Sequence, residues 1–316
     1  KKEMKYYARR ILGFLITIFL VSILTFAIFQ VLPGNPAEII LGVDADPAQI
    51  AALEESMGLD KPVLIRYGEW VAGLLHGDMG VSYRYKQPVA ALIQDSFKVT
   101  ASLAFLSIIL TVLIGLPTGI WLAKNHGKPV ATPVSMISQI SLSVPAFCMS
   151  IFLIYVFSVR LKVLPSFGYV PLKQGIIPWL KNMILPATAI ALGGSAMLIR
   201  YIYTSILTQL KEDYIRTAKS KGVSMKHILN RHVLRNSLIP VITILGMLVS
   251  DILGGSIIIE NVFSFPGIGK LLSTSISSRD FPLIQGLVVY MAGIVVLCNF
   301  LVDMLYSLID PRIRLK

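Results

Sequence analysis

Six stretches of the chain lack charged side chains and approach the length of a bilayer crossing. These uncharged runs cover residues 11–32, 99–123, 129–159, 182–199, 236–250 and 281–302. A helix needs about 20 apolar residues to cross the hydrocarbon core, so we extend the two short runs past Arg200 and Asp251. A helix also satisfies its own backbone hydrogen bonds within lipid. The pattern therefore predicts six transmembrane helices, at 11–32, 99–123, 129–159, 182–204, 236–260 and 281–303.

The basic residues are distributed unequally between the intervening segments. If the N-terminus is inside, 18 of the 29 Lys and Arg residues lie in the inner segments 1–10, 124–128, 200–235 and 303–316. Cytoplasmic loops are enriched in Lys and Arg, so both termini are predicted to be cytoplasmic. The predicted segments outside the spans are a cytoplasmic N-terminus at 1–10, an extracytoplasmic segment at 33–98, a cytoplasmic loop at 205–235, an extracytoplasmic loop at 261–280 and a cytoplasmic C-terminus at 304–316.

The composition of the chain agrees with a membrane protein. Its 316 residues are 55% hydrophobic and 15% charged, with a mean hydropathy of +0.73, whereas soluble domains average about 45–50% apolar and about 25% charged residues. The formal net charge of +12 would suggest nucleic acid in a soluble protein. Because the basic residues concentrate on the predicted inner side, we predict instead a multi-pass cell-membrane protein that contacts lipid and no nucleic acid.

The longest predicted outer segment, 33–98, is acidic, with nine Asp and Glu residues against five Lys and Arg residues. A helix is predicted from 46 to 57, with a proline in its first turn, and a second apolar-periodic stretch covers 63–75. Gly-Asp-Met-Gly at 77–80 predicts a turn. The segment is expected to form a small folded cap on the outer face.

The predicted inner loop has the pattern of two helices joined by a turn. Residues 200–221 are predicted as one helix that ends at Gly222, since glycine favours the position after a helix. Ser224 is a suitable N-cap for a second helix over 225–236. A short projecting helix of this kind can dock into a groove of a soluble partner. In that hypothesis Ala218 and Gly222 permit close approach, Tyr214 and Ile215 fill pockets, and Arg216, Lys219 and Lys221 make polar contacts.

The residues of this loop resemble a known family. The sequence at 213–222 and the Arg-Asn-Ser-Leu-Ile-Pro at 235–240 are similar to the cytoplasmic loop of ABC importer permeases of the dipeptide, oligopeptide and nickel transporter family. Ala218 and Gly222 match the Ala and Gly of the EAA-type motif, whose Glu is replaced by Arg216. Six further segments resemble the family in order: Leu-Pro-Gly-Asn-Pro at 32–36, Leu-Asp-Lys-Pro at 59–62, Gly-Asp-Met-Gly-Val-Ser at 77–82, Glu-Asn-Val-Phe-Ser-Phe-Pro-Gly-Ile-Gly at 260–269, Arg-Asp-Phe-Pro at 279–282 and Asp-Pro-Arg-Ile-Arg at 310–314.

The resemblance implies an all-α polytopic fold like that of type I ABC importer permeases, in the first permease subunit of the family's pair. The chain would form half of a pathway for dipeptides or oligopeptides, or alternatively for nickel or a metal chelate, in a prokaryotic cell membrane. Its partners would be a second homologous permease, two ATPase subunits that bind ATP and Mg, and an extracytoplasmic substrate-binding protein. No cofactor is expected in this chain. The coupling helix that meets the ATPase would include Asp213, Tyr214, Ile215, Arg216, Ala218, Lys219 and Gly222.

Two acidic residues of the predicted fifth span are further candidates for functional residues. A charged side chain within a membrane is energetically costly, so its presence suggests a function. Asp251 is assigned either to the pathway or its gate, or to a structural hydrogen bond. For Glu260, beside Pro-Gly-Ile-Gly, anchoring of the loop is the alternative to a pathway role. On one continuous helix the two side chains would point in nearly opposite directions. The binding protein is expected to dock on the outer loops, at Gly77, Asp78, Gly80, Arg279 and Asp280.

The sequence lacks two motifs that are typical of catalytic sites, a phosphate-binding loop and a metal-binding histidine pair. There is no Gly-x-x-x-x-Gly-Lys-Ser/Thr loop, and the four histidines lack the spacing of a metal site. The residues therefore predict no ATP-binding loop and no metal site in this chain, and the resemblance implies a non-catalytic transport subunit. Two other classes stay open from the residues alone. A secondary transporter would show inverted repeats and broken helices, and an intramembrane enzyme would need paired catalytic groups within the spans.

Overall fold

Helices form the regular structure of the residues that the computed structural model describes, which are 2–31, 36–42, 45–56, 58–254 and 256–309. Among these residues the only strand-like pairing is a single bridge between Val81 and Pro88. The α-helices are α1 (Lys2–Val31), α2 (Pro36–Leu41), α3 (Pro47–Ser56), α4 (Val63–Leu75), α5 (Val89–Lys124), α6 (Ala131–Ser143), α7 (Ala146–Leu153), α8 (Ile176–Gln209), α9 (Asp213–Ser220), α10 (Met225–His227), α11 (Leu234–Ser237), α12 (Ile239–Leu253), α13 (Ile257–Val262), α14 (Ile268–Ser277) and α15 (Phe281–Ile309).

Two π-helical segments, which have wider turns than an α-helix, continue or join three of these helices. The π-helical segment Ile154–Arg160 continues α7, and the π-helical segment Ile228–Val233 joins α10 to α11. The inner stretch from 225 to 237 is thus helical without a gap, which confirms the helix predicted there.

Four helices in the described part of the chain are long and apolar enough to cross a membrane. They are Arg10–Gln30, Val89–Lys124, Ile176–Gln209 and Phe281–Val302. Two bent pairs bring the possible number to six, namely Ala131–Ser143 with Ala146–Arg160, and Ile228–Ser237 with Val241–Leu253. The structure therefore contains four to six candidate spans.

The run predicted as one span at 129–159 consists of two helices that meet at 106°. The break falls at Val144 and Pro145, where Val144 is extended (φ −84°, ψ 121°). The pyrrolidine ring disfavours a helical conformation at the preceding residue, which is the physical reason for the break. By contrast, α5 continues through Pro117 and α8 through Pro186.

The run predicted as one helix at 236–260 is also divided. The helix α12 ends at Leu253 and α13 begins at Ile257, and the sequence between them contains two glycines, which are poor helix formers. Consequently Asp251 and Glu260 lie on different helices. The expectation that they point in opposite directions assumed a single helix, so it does not hold.

The outer segment contains the predicted helices close to their expected bounds. Asp46 accepts a hydrogen bond from the Ala48 N–H at its Oδ1 (3.0 Å), just before α3 begins at Pro47. The helix α4 covers the predicted 63–75 stretch. Residues 32–35 and 310–314, which belong to two of the family-like motifs, lie outside the described residues.

The helices pack around three apolar clusters. One of them, here called the Ile215 cluster, joins the inner parts of α5, α8, α9 and α12. Its buried members are Ala123, Leu198, Ile202, Ile206, Ile215, Ile228, Val233, Val241 and Ile244. The long helices α5 and α8 pack along one another and form the centre of the described structure.

Candidate functional site

The short helix α9 is a separate element, not the continuation of α8 that the sequence pattern predicted. The chain leaves the helical conformation at Glu212, whose backbone is extended (φ −67°, ψ 149°). This break lets the chain change direction before Asp213. The predicted N-cap at Ser224 has an extended backbone but makes no side-chain capping bond.

Gly222 ends α9 in the manner that the sequence predicted. Its φ is +77°, in the left-handed region that glycine adopts without steric cost. The Gly222 N–H donates to the Lys219 carbonyl (2.9 Å), and the Val223 N–H donates to the Ala218 carbonyl (3.2 Å). These two bonds form a Schellman motif, so the end of the helix is geometrically fixed.

One face of α9 is packed against the rest of the chain. Ile215 is 1% exposed, inside the Ile215 cluster with Ile206 and Ile228. The Tyr214 hydroxyl donates to Gln209 Oε1 (2.7 Å) and accepts from Asn236 Nδ2 (3.4 Å). Ile215 therefore does not present its side chain to a partner's pocket, contrary to the sequence-based hypothesis. It fixes α9 to α8 and to the π-helical segment that begins at Ile228 instead.

The opposite face of α9 is charged and exposed. Arg216 and Asp213 form an ion pair of 3.4 Å, and exposed pairs of this kind contribute little to stability. Lys219 and Lys221 are also exposed, and no ion pair is recorded for either among the described residues. This surface can therefore offer its charges to a polar partner at small cost to the fold.

The Ile215 cluster connects α9 to the close packing of α5 and α8. A Cβ on Gly115 would lie 2.9 Å from Leu198 Cδ2, and one on Gly119 would lie 3.0 Å from Ile202 Cβ. The two glycines are spaced as in a G-x-x-x-G motif, which allows helices to approach closely within a membrane. The two glycines were not among the residues predicted to be functional, although their spacing is visible in the run at 99–123.

Glu260 belongs to α13, not to the α9 region described above, and is fully buried. Its Oε1 accepts hydrogen bonds from Thr100 Oγ1 (2.7 Å) and Ser256 Oγ (3.2 Å). Its Oε2 accepts from the N–H groups of Gly269 (2.8 Å) and Lys270 (3.1 Å). A carboxylate is favourable at a helix N-terminus, where free N–H groups point outward, so Glu260 fixes α14 to α5.

The glycines of Pro-Gly-Ile-Gly make room for this arrangement. A Cβ on Gly267 would lie 2.3 Å from the Glu260 carboxyl carbon, and one on Gly269 would lie 2.6 Å from Ile257 Cα. The Ile268 N–H also donates to Thr100 Oγ1 (2.9 Å). The motif thus places α14 directly over the carboxylate. Thr100 is a residue whose part in this junction the sequence did not reveal.

Asp280 joins the outer segment to the start of α15. It is buried, and its carboxylate accepts hydrogen bonds from the Ser82 hydroxyl and from the N–H groups of Tyr83 (3.1 Å) and Arg84 (3.2 Å). The pKa of Tyr83 is raised to about 12, mainly by burial and in addition by the charge of Asp280, while Arg66 acts in the opposite direction. Asp280 therefore links two segments of this chain through buried hydrogen bonds, and it is not part of an exposed docking surface.

The neighbouring outer residues are exposed. Asp78 Oδ1 accepts from the Gly80 N–H (2.8 Å) in a turn where Gly77 and Gly80 have φ of +81° and +82°. A Cβ on Gly80 would lie 3.8 Å from Pro282 Cβ, so the turn lies beside the start of α15. Arg279 is exposed with φ +52°. The structure thus brings both predicted outer motifs together.

Asp251 lies two residues before the end of α12 and its side chain is exposed in the described chain. The side chains that would hold a metal are not gathered anywhere in the described ranges: no group of three or more His, Cys, Asp or Glu residues is found there.

The structure combines four to six candidate membrane spans with a charged surface helix, and comparisons with known proteins give the family. Residues 115–315 match the family described as binding-protein-dependent transport system inner membrane component, and residues 3–104 match its N-terminal family. A Brucella abortus (strain 2308) protein that bears the name of a peptide transport system permease is 39% identical over 93% of this chain and 94% of its own. The glutathione transport system permease protein GsiC of Shigella flexneri is 36% identical over 99% of this chain and 100% of its own.

Solved structures share the fold at low sequence identity. A chain of the MetNI methionine ABC transporter, in an inward facing conformation, matches with a TM-score of 0.58 and 17% identity over 69% of this chain and 96% of its own. A chain of an amino acid ABC transporter solved with histidines matches with a TM-score of 0.52 and 20% identity over 70% of this chain and 94% of its own.

The chain belongs to the family of binding-protein-dependent transport system inner membrane components. It is a permease of an ABC importer, a multi-pass protein of the inner membrane. As a permease it is not the subunit that hydrolyses ATP. Family membership implies an ATPase and a substrate-binding protein as partners, and it decides against a secondary transporter or an intramembrane enzyme.

Proposed function

We propose that this permease forms half of the pathway of a peptide importer, together with a second homologous permease, two ATPase subunits and an extracytoplasmic binding protein. The observation that carries the coupling part of this proposal is the rigid attachment of an exposed basic helix, α9, to the core of α5 and α8. The cargo is supported by the relatives, which are named for peptide and glutathione transport. Glutathione is itself a tripeptide.

The proposed topology has six spans and both termini in the cytoplasm. The four straight candidate helices and the two bent pairs supply six crossings. This orientation places α9, with Arg216 and Lys219, on the same side as 18 of the 29 basic residues. The cytoplasmic side is also where the ATPases must lie.

In the proposed mechanism the ATPases bind ATP and Mg, and closure of the ATPases displaces α9. Because Ile215 lies in one cluster with Ile202 and Ile206 of α8, displacement of α9 is transmitted to α8. The glycine contacts at 115 and 119 then pass the movement to α5. This chain transmits the motion and conducts the cargo but performs no step of hydrolysis.

The proposed outer contacts are the exposed members of the predicted set. Asp78 and Arg279, with Gly77 and Gly80, lie on the exposed turn beside α15 and are available to the binding protein. Asp280 supports that surface from beneath. Asp251, exposed on α12, is proposed to face the pathway or the second permease.

Uptake by the complete importer in proteoliposomes tests the cargo. We expect ATP-dependent uptake of a radiolabelled tripeptide, reduced by an excess of unlabelled peptide but not by nickel–histidine chelate. The matched control is the same importer without ATP inside the vesicles. ATP-dependent uptake of a labelled nickel–histidine chelate, with no uptake of the peptide, would overturn the peptide assignment in favour of a metal chelate.

A further inference from the structure

The outer helix α4 has one face packed against the first span. The Tyr67 hydroxyl forms a hydrogen bond with Ser22 Oγ (2.8 Å), and the rings of Trp70 and Phe26 lie 5.7 Å apart. Arg66 donates to Gln30 Oε1 (3.2 Å). These contacts fix the position of α4 along α1.

The contacts between α4 and α1 also fix the depth of α4 in the membrane. The apolar span of α1 ends at Gln30, and Ser22 lies eight residues further in, or about 12 Å at a rise of 1.5 Å per residue. Half of the hydrocarbon core is about 15 Å thick. The side of α4 that carries Tyr67 therefore reaches into one leaflet, whereas the side that carries Arg66 stays at the membrane surface.

The remaining face of α4 is apolar and uncovered. Leu64 is 84% exposed, Leu75 is 83% exposed and Ile65 is 51% exposed. Leu64, Gly68, Ala72 and Leu75 follow one another at helical spacing and form one stripe. No described residue covers this stripe.

The charged side chains of α4 lie on the side of the helix opposite the Leu64 stripe. At 100° per residue, Glu69 and Arg66 are about 140° and about 200° from Leu64 around the helix axis. Glu69 pairs with Lys61 at 2.7 Å. Because Arg66 marks the shallow side, the Leu64 stripe points toward the bilayer centre. The Tyr and Trp side chains between these edges are the types enriched at membrane interfaces.

We infer that α4 is an interfacial helix embedded in the leaflet around the end of α1, with the stripe Leu64, Gly68, Ala72 and Leu75 facing phospholipid acyl chains. The exposed apolar residues Leu24 and Ile28 of α1 lie at the same depth, so lipid is already present at that level. The outer segment is thereby anchored to the bilayer as well as to α15. This inference does not depend on the cargo or on the ATPase contact.

Spin labels on the complete importer in proteoliposomes test the inference. With Cys148 and Cys298 replaced by Ser, single cysteines at Leu64, Leu75 or Glu69 would be labelled with a nitroxide. We expect the labels at 64 and 75 to collide several-fold more with oxygen than with a polar nickel complex. The label at 69, on the charged edge of the same helix, should show the reverse ratio.

Two outcomes would overturn the inference. If the labels at 64 and 75 are as accessible to the nickel complex as the label at 69, the stripe faces water. If neither reagent reaches 64 and 75 in the complete importer, the stripe is covered by another subunit. The native side chains at both positions are more than four-fifths exposed, so labelling should not disturb packing, and size-exclusion chromatography would confirm that each labelled importer is intact.

Discussion

The helix α9 and the junction around Glu260 and Asp280, which the proposed topology places on opposite sides of the membrane, use charged residues in opposite ways. At the outer junction both carboxylates are buried, and hydroxyl and backbone N–H donors satisfy them. On α9 the charges of Asp213, Arg216 and Lys219 are exposed. Buried, fully bonded charges hold segments of one chain in a fixed relation, whereas exposed charges remain available for another chain. The comparison therefore separates residues that maintain the fold from residues that meet a partner.

The largest expected effect is on the outer side, from Glu260→Ala. The substitution leaves the Thr100 hydroxyl and the N–H groups of Gly269 and Lys270 without their acceptor in a buried site. We expect a loss of about 3 kcal/mol in the free energy of unfolding, since unsatisfied buried polar groups are costly. Thermal unfolding of the purified importer in detergent would measure it.

The matched control is Asp213→Ala, which removes an exposed carboxylate from the N-terminus of another short helix. It should leave the unfolding temperature nearly unchanged. Equal destabilisation by the two substitutions would contradict the contrast between the two regions.

Asp280→Ala should have the next largest effect. It removes the acceptor of the Ser82 hydroxyl and of two backbone N–H groups, so we expect a loss of about 2 kcal/mol and loosening of the outer segment. Faster hydrogen exchange at the Tyr83 and Arg84 amides would show this directly. Asp78→Ala, in the exposed turn nearby, is the control. Unchanged exchange at 83 and 84 in the Asp280 variant would disprove the proposed tie.

Gly222→Ala tests the end of α9 and should cost about 1 kcal/mol, because an L-residue is strained in the left-handed region. Apart from its two chain neighbours, no described residue has an atom within 4 Å of the added Cβ, so the expected cost comes from the strain of the backbone. Gly222→Asn should be milder, since Asn tolerates this conformation. If both variants unfold at the same temperature as the parent importer, the helix end is not constrained as described.

The smallest expected effect on stability is that of Arg216→Ala. The side chain is 79% exposed and pairs only weakly with Asp213, so the free energy of unfolding should change by less than about 0.5 kcal/mol. Its effect should be seen instead in the amount of ATPase subunit that co-purifies with the importer. A large stability loss without a loss of ATPase would assign Arg216 to the fold.

The sequence pattern predicted much of the architecture, because the positions of helices and turns depend mainly on local properties of the chain. The runs of uncharged residues located the four to six candidate spans, the apolar periodicity located α4, and the glycine at 222 located the end of α9. The bend of 106° was not predictable, since the extended conformation of Val144 leaves the direction of the next helix to tertiary packing.

The roles of individual side chains were predicted less successfully, because these roles depend on contacts between distant parts of the chain. Glu260 and Thr100 are separated by 160 positions, and Asp280 and Ser82 by 198. Asp280 was expected at a docking surface, yet it is an internal tie. Ile215 was expected to reach a partner, yet it faces inward, because the break at Glu212 rotates α9 relative to α8. The anchoring alternative for Glu260 agrees with its observed bonds.

The central claim is that the charged face of α9 contacts the ATPase, and photo-cross-linking tests it most directly. A photoreactive amino acid would replace Lys219 in the complete importer in membranes, with Asp95, exposed near the outer end of α5, as the control position. We predict a covalent adduct between this chain and the ATPase from position 219 and none from position 95. An intact importer that yields no ATPase adduct from position 219 would contradict the account.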